Sequence, residues 1–307
     1  MGVIRDFTAW PRGPLAIAIG VFDGVHIGHR ALIEQTAARA DELGGKALAA
    51  TFEPLPIQAL APGAPPSALS DVDGRVRLLQ EAGADDVVVF SFTKEFAALG
   101  PEEFVRRLAA AGQVRRILVG EDFQFGRDRA GDVRTLQAAG TKHGFEVEVA
   151  APVKLDGEVV SSTRIRNALL AGDVEGAAGL LGRPYAVTGT VVHGAKRGRA
   201  LGFPTVNLAV PAQRLLPRDG IYAMTVRVRD NDVAAAASLG VRPTFGGGDR
   251  TLEAYLLDWK GDVYGDRLEA AFIKRLRDEL RFASATELSE QIARDVEQTR
   301  AALRSRP

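Results

Sequence analysis

Gly20-Val21-Phe22-Asp23-Gly24-Val25-His26-Ile27-Gly28-His29 follows the apolar run Leu15 to Ile19 and precedes a helical stretch carrying Ala31, Leu32 and Ile33. An apolar strand that ends in glycines and feeds a helix turns backbone N–H groups outward, and the positive end of the helix dipole favours an anion there. The stretch therefore predicts a phosphate site at the carboxyl edge of a parallel sheet. Two imidazoles three residues apart at that turn can both face the anion. Histidines near a helix N-terminus tend to stay neutral, so they donate hydrogen bonds to phosphate oxygens as charge builds during attack at an α-phosphorus. The chemistry suggested is nucleotidyl transfer; the bland alternative is a turn whose imidazoles are satisfied locally.

Outward from this motif, β-rich runs alternate with helical patterns. Leu15 to Val21, Ala47 to Phe52, Val87 to Phe90, Ile117 to Val119 and Phe145 to Val149 read as strands. Arg30 to Leu43, Val72 to Ala82, Glu102 to Ala111 and Val133 to His143 have helical spacing. That alternation predicts an α/β fold of Rossmann type, a parallel sheet covered on both faces. Two short helices, Thr163 to Leu170 and Val174 to Leu181, follow. After Gly182-Arg183-Pro184 the pattern switches to strands without intervening helices: Ala186 to His193, Tyr222 to Arg229, Val233 to Leu239, Thr251 to Asp258 and Leu268 to Arg275. Gly/Pro turns between them predict a small closed or nearly closed β-barrel. A last helix, Thr286 to Leu303, sets Leu288, Ile292 and Val296 on one stripe. The expected domains are residues 1–182 and 183–307. Pro54 to Pro66, rich in Pro and Ala, reads as a loop.

The 307 residues suffice for two domains, and no run approaches the roughly 18 to 20 apolar residues of a spanning helix. Met1 to Pro11 lacks the apolar core of a signal peptide, so the expected location is cytoplasmic and no membrane partner is expected. With no cysteine, disulfides, thiolate zinc sites and cysteine nucleophiles are excluded. Lys+Arg and Asp+Glu balance at 39 each, so no global field draws nucleic acid to this surface.

Three further motifs carry chemistry. Ser161-Ser162-Thr163-Arg164-Ile165-Arg166 precedes a helical run. One hydroxyl there would serve as a cap, and three hydroxyls with two guanidiniums exceed what capping requires; Arg164 or Arg166 can clamp a leaving pyrophosphate in a bidentate manner. Val119-Gly120-Glu121-Asp122-Phe123-Gln124-Phe125-Gly126 follows a strand, and Asp122, Phe123 and Phe125 suit contact with a flat ring or a magnesium ion, or are ordinary loop residues. In the second half His193-Gly194-Ala195-Lys196-Arg197-Gly198-Arg199-Ala200-Leu201-Gly202-Phe203-Pro204-Thr205-Val206-Asn207-Leu208 combines glycines that let amides approach phosphates with Lys196, Arg197 and Arg199 as countercharge. Thr205 and Asn207 alternate onto one face of an extended segment and offer oxygen ligands that suit magnesium. Glu253, in Thr251 to Asp258, shares a face with Thr251 and Tyr255; by spacing alone it reads as a solvated strand residue.

Taken together, these segments resemble the prokaryotic bifunctional riboflavin kinase/FAD synthetase family over nearly the whole chain. Thr51-Phe52-Glu53-Pro54, Asp219-Gly220-Ile221-Tyr222-Ala223, Gly240-Val241-Arg242-Pro243-Thr244-Phe245 and Tyr264-Gly265 extend the match in the family's order. The resemblance implies that the C-terminal half phosphorylates riboflavin to FMN and the N-terminal half adenylylates FMN to FAD. By it, Gly194, Lys196, Arg199, Gly202, Phe203, Pro204 and Thr205 hold ATP in the kinase, Thr205 and Asn207 hold Mg2+ with the ATP, and Glu253 becomes the general base, reversing its reading from spacing. In the first half, His26 and His29 steady the α-phosphate, Gly20, Phe22, Asp23 and Gly24 line the ATP, Ser161, Ser162, Thr163 and Arg166 meet the leaving group, and Asp122, Phe123 and Phe125 meet FMN. The implied partners are ATP, riboflavin, FMN and FAD, and a homo-oligomer is left open.

Two departures stand out. The family's Phe-Glu-Pro-His-Pro carries Leu55 here, and its Pro-Thr-Ala-Asn carries Val206. Val206 points away from the face of Thr205 and Asn207. Loss of an imidazole at Leu55 predicts weakened FMN adenylylation beside an intact kinase. The rival readings are an adenylyltransferase for another acceptor, which leaves the second-half motifs unexplained, and a flavin- or nucleotide-binding sensor, which needs neither a metal site nor a base.

Overall fold

The computed structural model describes residues 2–61, 67–193, 202–241 and 250–304. It divides into two compact units, Met1–Ser162 and Thr163–Pro307.

In the first unit, β2 (Pro14–Ile19) is the central strand of a six-stranded parallel sheet. On one side of it lie β3 (Lys46–Glu53), β4 (Asp86–Ser91) and the edge strand β1 (Val3–Ile4); on the other lie β5 (Gln113–Gly120) and β6 (Glu146–Ala150). Leu15 to Ile19 are buried on both faces, which is why the run is uniformly apolar rather than alternating. Its faces nevertheless differ in size. Ile17 and Ile19 meet Phe104, Val105 and Leu108 of α5 (Pro101–Ala111) and Leu136 of α6 (Val133–His143). Ala16 and Ala18, with Ala47 and Ala49 of β3, form the small-residue face that receives α1 (Ile27–Glu42) and α3 (Val72–Glu81). An ion network of Arg39, Arg116 and Glu148 joins α1, β5 and β6 at 2.5–3.0 Å. The strands all run parallel, but the order in which they are added reverses at β2, with β3 on one side and β5 on the other, so the loops after β2 and after β5 flank the switch-point crevice beyond the strands' carboxyl ends. The expected Rossmann-like sheet is present. Added to it are β1, the short helices α2 (Pro56–Leu60) and α4 (Lys94–Ala97), and the hairpin of β7 (Lys154–Leu155) and β8 (Glu158–Val159).

The second unit opens with α7 (Ser162–Ala171), whose first residue closes the first unit, and α8 (Val174–Leu181). Asp173 caps α8 by accepting the Gly176 N–H, and the Arg218 N–H bonds the Leu169 carbonyl at 2.9 Å. Six antiparallel strands then close a barrel: β9 (Tyr185–Val192), β10 (Thr205–Ala209), β11 (Gly220–Val228), β12 (Asn231–Val241), β13 (Arg250–Leu256) and β14 (Arg267–Arg277). Along the lumen wall small residues neighbour large ones, Ala235 beside Met224 and Leu256 and Ala237 beside Tyr222, with Phe272 on the far side of Met224, a mix of sizes that suits a narrow barrel filled by its own side chains. At the turn into β11, Gly220 has φ 154, and a Cβ there would stand 2.7 Å from the Arg277 carbonyl oxygen, so only glycine fits. The C-terminal helix α9 (Ala285–Arg304) packs on β11, β12 and β14 through Val296 and Thr299, and its buried Asp295 receives Arg277 at 2.6 and 2.9 Å. No helix among the described residues is long and apolar enough to cross a membrane.

Candidate functional site

The motif after β2 forms a tight turn followed directly by α1. Phe22, Gly24 and Val25 have φ of 51, 82 and 42, so three of four successive residues are left-handed. For a β-branched valine this is costly, on the order of 1–3 kcal/mol, and it persists only where neighbours over-determine it. The neighbours are visible. Thr51 Oγ1, fully buried on β3, donates to the Val21 carbonyl at 2.8 Å, and the Val25 N–H closes onto the Phe22 carbonyl at 3.1 Å. The Asp23 carboxylate, 1% exposed, accepts the Leu69 and Ser70 N–H groups at 2.9–3.1 Å and the Ser70 hydroxyl at 3.3 Å. Ser70 Oγ in turn accepts the Gly24 N–H at 3.1 Å, and the Asp23 carbonyl accepts the Ser162 hydroxyl at 3.0 Å. At Gly20 a Cβ would stand 2.8 Å from the Phe22 ring, so glycine lets that ring fold back over the strand end.

His26 is the N-cap of α1: its Nδ1 accepts the His29 N–H at 3.2 Å. The two imidazoles stack with centroids 3.5 Å apart, and Phe22 meets His29 edge-on at 5.2 Å. The first-turn N–H groups of Ile27 and Gly28 have no partner within the helix by its geometry, and the positive pole of the dipole lies beside the imidazoles. An anion at this turn meets amides and ring N–H donors together.

Across the crevice, the loop after β5 holds Phe123 and Phe125 stacked at 5.4 Å. Phe125 is a core residue paired with Gly131 through both backbone groups, Phe123 is half-buried, and Asp122 is exposed. On the β3 side, Leu55 is 2% exposed and its N–H bonds Gln58 Oε1 at 3.0 Å. Ser161 and Ser162 close the first unit. Thr163, exposed, and Arg164 and Arg166, half-buried, lie on α7 and fall within the second unit.

In the barrel, β10 and β13 pair Thr205 with Tyr255 and Asn207 with Glu253. On the other side of β13, β12 sets Ser238 opposite Glu253. Directly opposed residues of an antiparallel pair share a face, so Asn207, Glu253 and Ser238 stand in one row, with Thr205 and Tyr255 in the next. Leu252, Ala254 and Leu256 point to the lumen and are buried, which places Glu253 on the outer face. Val206 opposes Ala254 and so faces away from the row. Phe203 meets Tyr255 edge-on at 5.5 Å, and His193 lies tilted against Tyr264 at 4.1 Å. At the end of the barrel where β12 and β13 begin to part, Arg250 Nε bonds Asp219 at 2.9 Å, and burial, helped by Asp219, pushes the Glu279 carboxyl up. Gly194, Lys196 and Arg199 lie outside the described residues; Gly202, Phe203 and Pro204 lead directly into β10.

Sequence reasoning missed Ser70 and Arg75. Arg75, fully buried on α3, bonds the Phe52 carbonyl at 2.8 Å and the Glu53 carboxylate at 2.6 Å. A signal for it exists: a lone cation three residues after Val72 and four before Leu79, on the helix's apolar stripe.

A family model described as FAD synthetase matches residues 10–164, and one described as riboflavin kinase matches residues 181–303. A bifunctional riboflavin kinase/FMN adenylyltransferase of Pseudomonas fluorescens is 42% identical over 292 residues, covering 94% of this chain and 93% of that protein. The protein of the same description from Escherichia coli K12 is 38% identical, covering 95% and 94%. A crystal structure of a macrolide-efflux protein from Streptococcus pneumoniae superposes with a TM-score of 0.88 at 32% identity, covering 97% of this chain and 98% of that one.

Proposed function

The chain belongs to the family of bifunctional riboflavin kinase/FMN adenylyltransferases, and on that premise we propose how its residues divide the two reactions. It phosphorylates riboflavin to FMN with ATP and adenylylates FMN to FAD with release of pyrophosphate. The efflux activity in the name of the Streptococcus protein is said of that protein alone. We place the boundary between the catalytic domains at residues 182 and 183, where a sheet-and-helix pattern gives way to strands.

In the kinase, Glu253 takes the proton of the ribityl 5′-hydroxyl as that oxygen attacks the γ-phosphorus and ADP leaves. The observation that carries this assignment is the register that sets Asn207 directly opposite Glu253. The Thr205 hydroxyl and the Asn207 amide oxygen are hard oxygen donors two residues apart on one face, and they fit the magnesium of Mg-ATP, which would neutralise phosphate charge there. Gly202, Phe203 and Pro204 bring the chain to that face, and Gly194, Lys196 and Arg199 are the proposed phosphate contacts.

In the adenylyltransferase, an FMN phosphate oxygen attacks the α-phosphorus of ATP and pyrophosphate leaves. His26, His29 and the first amides of α1 donate to the α-phosphate, where charge rises in the transition state. Ser161 and Ser162 serve the leaving group, and Asp122 and Phe123 the flavin side; the core position of Phe125 makes it the support on which Phe123 stacks. Incubation of the purified chain with riboflavin, ATP and magnesium, with separation of the products, tests the whole reading. FMN, FAD, ADP and pyrophosphate are all expected. A chain that makes no FMN, or that releases ADP but never pyrophosphate, contradicts it.

A further inference from the structure

The Asp23 carboxylate is spent inside the protein. Buried to 1% exposure, it receives two backbone N–H groups and one hydroxyl from Leu69 and Ser70. Ser70 is wired in both directions, its hydroxyl donating to Asp23 and accepting the Gly24 N–H. One residue on, Asp71 caps α3 by accepting the Gly74 N–H at 2.7 Å, which fixes this segment to the helix. One turn along α3, Arg75 reaches the opposite way and holds the Phe52 carbonyl and the Glu53 carboxylate at the end of β3. A single stretch of seven residues thus grips both the left-handed turn beside His26 and the loop that carries Leu55.

We propose that the segment from Leu69 to Arg75 is a positioning clamp for adenylyl transfer: Ser70 and the Asp23 carboxylate hold the strained Phe22–Val25 turn, Arg75 holds the loop after β3, and none of these three side chains touches the nucleotide, so Asp23 acts on the turn in place of the ATP-lining role that the resemblance implies. The physical reason is the turn itself. Left-handed Phe22 and Val25 are strained, so bonds from outside the turn add to its one internal bond in holding it, and His26, whose ring meets the α-phosphate, is the next residue. Releasing the Gly24 N–H lets the turn relax by an ångström or so and moves the donors off the transition-state oxygens. Binding of ground-state ATP, spread over many contacts, changes less. The proposal rests on the adenylyltransferase reading of the first unit.

Ser70→Ala and Asp23→Asn, made in the full chain, test it. Both are expected to lower kcat for FMN adenylylation about 10- to 100-fold while the ATP KM stays within about threefold. Riboflavin phosphorylation by the same molecules is expected unchanged, which reports an intact fold. The chain has four histidines, so imidazole NMR is tractable. The His26 and His29 resonances are expected to move in both variants while those of His143 and His193 stay. Unchanged adenylylation in both variants overturns the clamp, as does an equal loss of both activities with a lowered Tm. So does an Asp23→Asn variant whose ATP KM rises while Ser70→Ala is silent, because Asp23 is then a ligand. If Ser70→Ala does not fold, Asp23→Asn decides by the same readouts. Should the wild type make no FAD, the functional reading fails by itself and the spectra decide the clamp: unmoved His26 and His29 signals in the variants overturn it.

Discussion

His26 has two duties that substitution can separate. Its Nδ1 caps α1, and its ring is the proposed donor to the α-phosphate. His26→Asn keeps an acceptor for the His29 N–H but removes the imidazole. FAD formation should then fall about 100-fold or more with Tm nearly unchanged, whereas His26→Ala should lose the same activity and about 1 kcal/mol of stability as well. Parallel kinetics and calorimetry on the two variants check this; equal Tm values for both would remove the capping role. Glu253 is the corresponding residue of the barrel. Glu253→Gln keeps the side chain's shape and should cut FMN formation about 100- to 10,000-fold while leaving FMN adenylylation intact. Leu55 is a quieter case: buried at 2% exposure, it offers no polar group where the family carries histidine. FMN is therefore expected to accumulate ahead of FAD when riboflavin and excess ATP are supplied, and equal turnover in the two steps would refute the skew. The proposed roles of His26 and His29 rest on local spacing and family resemblance, and that of Glu253 on the resemblance alone, since spacing reads it as a solvated strand residue. Ser70 carries no such signal and Arg75 only its place on an apolar stripe, because their partners lie 22 to 47 residues away and no local pattern encodes such pairings.

At the scale of elements, strength of pattern decided legibility. β2 and α1 announce themselves, one by an unbroken apolar run and the other by its length, and the barrel strands by alternation that burial reproduces residue for residue in β13. β1, β7 and β8 have two residues each and α4 has four, too few for a period to register. The segment Pro54 to Pro66, read as a loop, contains α2 at Pro56–Leu60, started by proline at its first position and by the Gln58 side chain. α9 was legible as a stripe of Leu288, Ile292 and Val296, but the ion pair that fixes it was not. Asp295 is 3% exposed and bonded by both Arg277 and Gln291. Asp295→Ala leaves the Arg277 guanidinium without its main partner and should cost about 2–4 kcal/mol, measured by urea unfolding. An undiminished midpoint would mean that apolar contacts alone dock the helix.

For the molecule as a whole, positive and negative side chains cancel at 39 each, so pH acts through particular pairs rather than through net charge. Glu148 is the clearest. Burial works to raise its carboxyl, and hydrogen bonds from Arg116 and Arg39 outweigh this and hold it below the ordinary value. A carboxylate lowered in the folded state adds stability above its unfolded pKa, and that contribution disappears as pH falls through the folded value. Glu148→Gln should therefore lose stability at neutral pH and show a shallower acid limb, read from Tm against pH; parallel limbs would leave the pair without a measurable contribution. The proposed assignment gives the two activities separate residue sets, so His26→Asn and Glu253→Gln combined should lose both without synergy. The row of Asn207, Glu253 and Ser238 also constrains how such a gene can vary. Because side chains alternate sides along β13, removal or insertion of one codon between residues 251 and 254 would turn the carboxylate into the oily lumen and present Leu252 or Ala254 in its place. Heredity can exchange letters at the outer positions of that strand other than Glu253, but it can alter the strand's length there only by even steps.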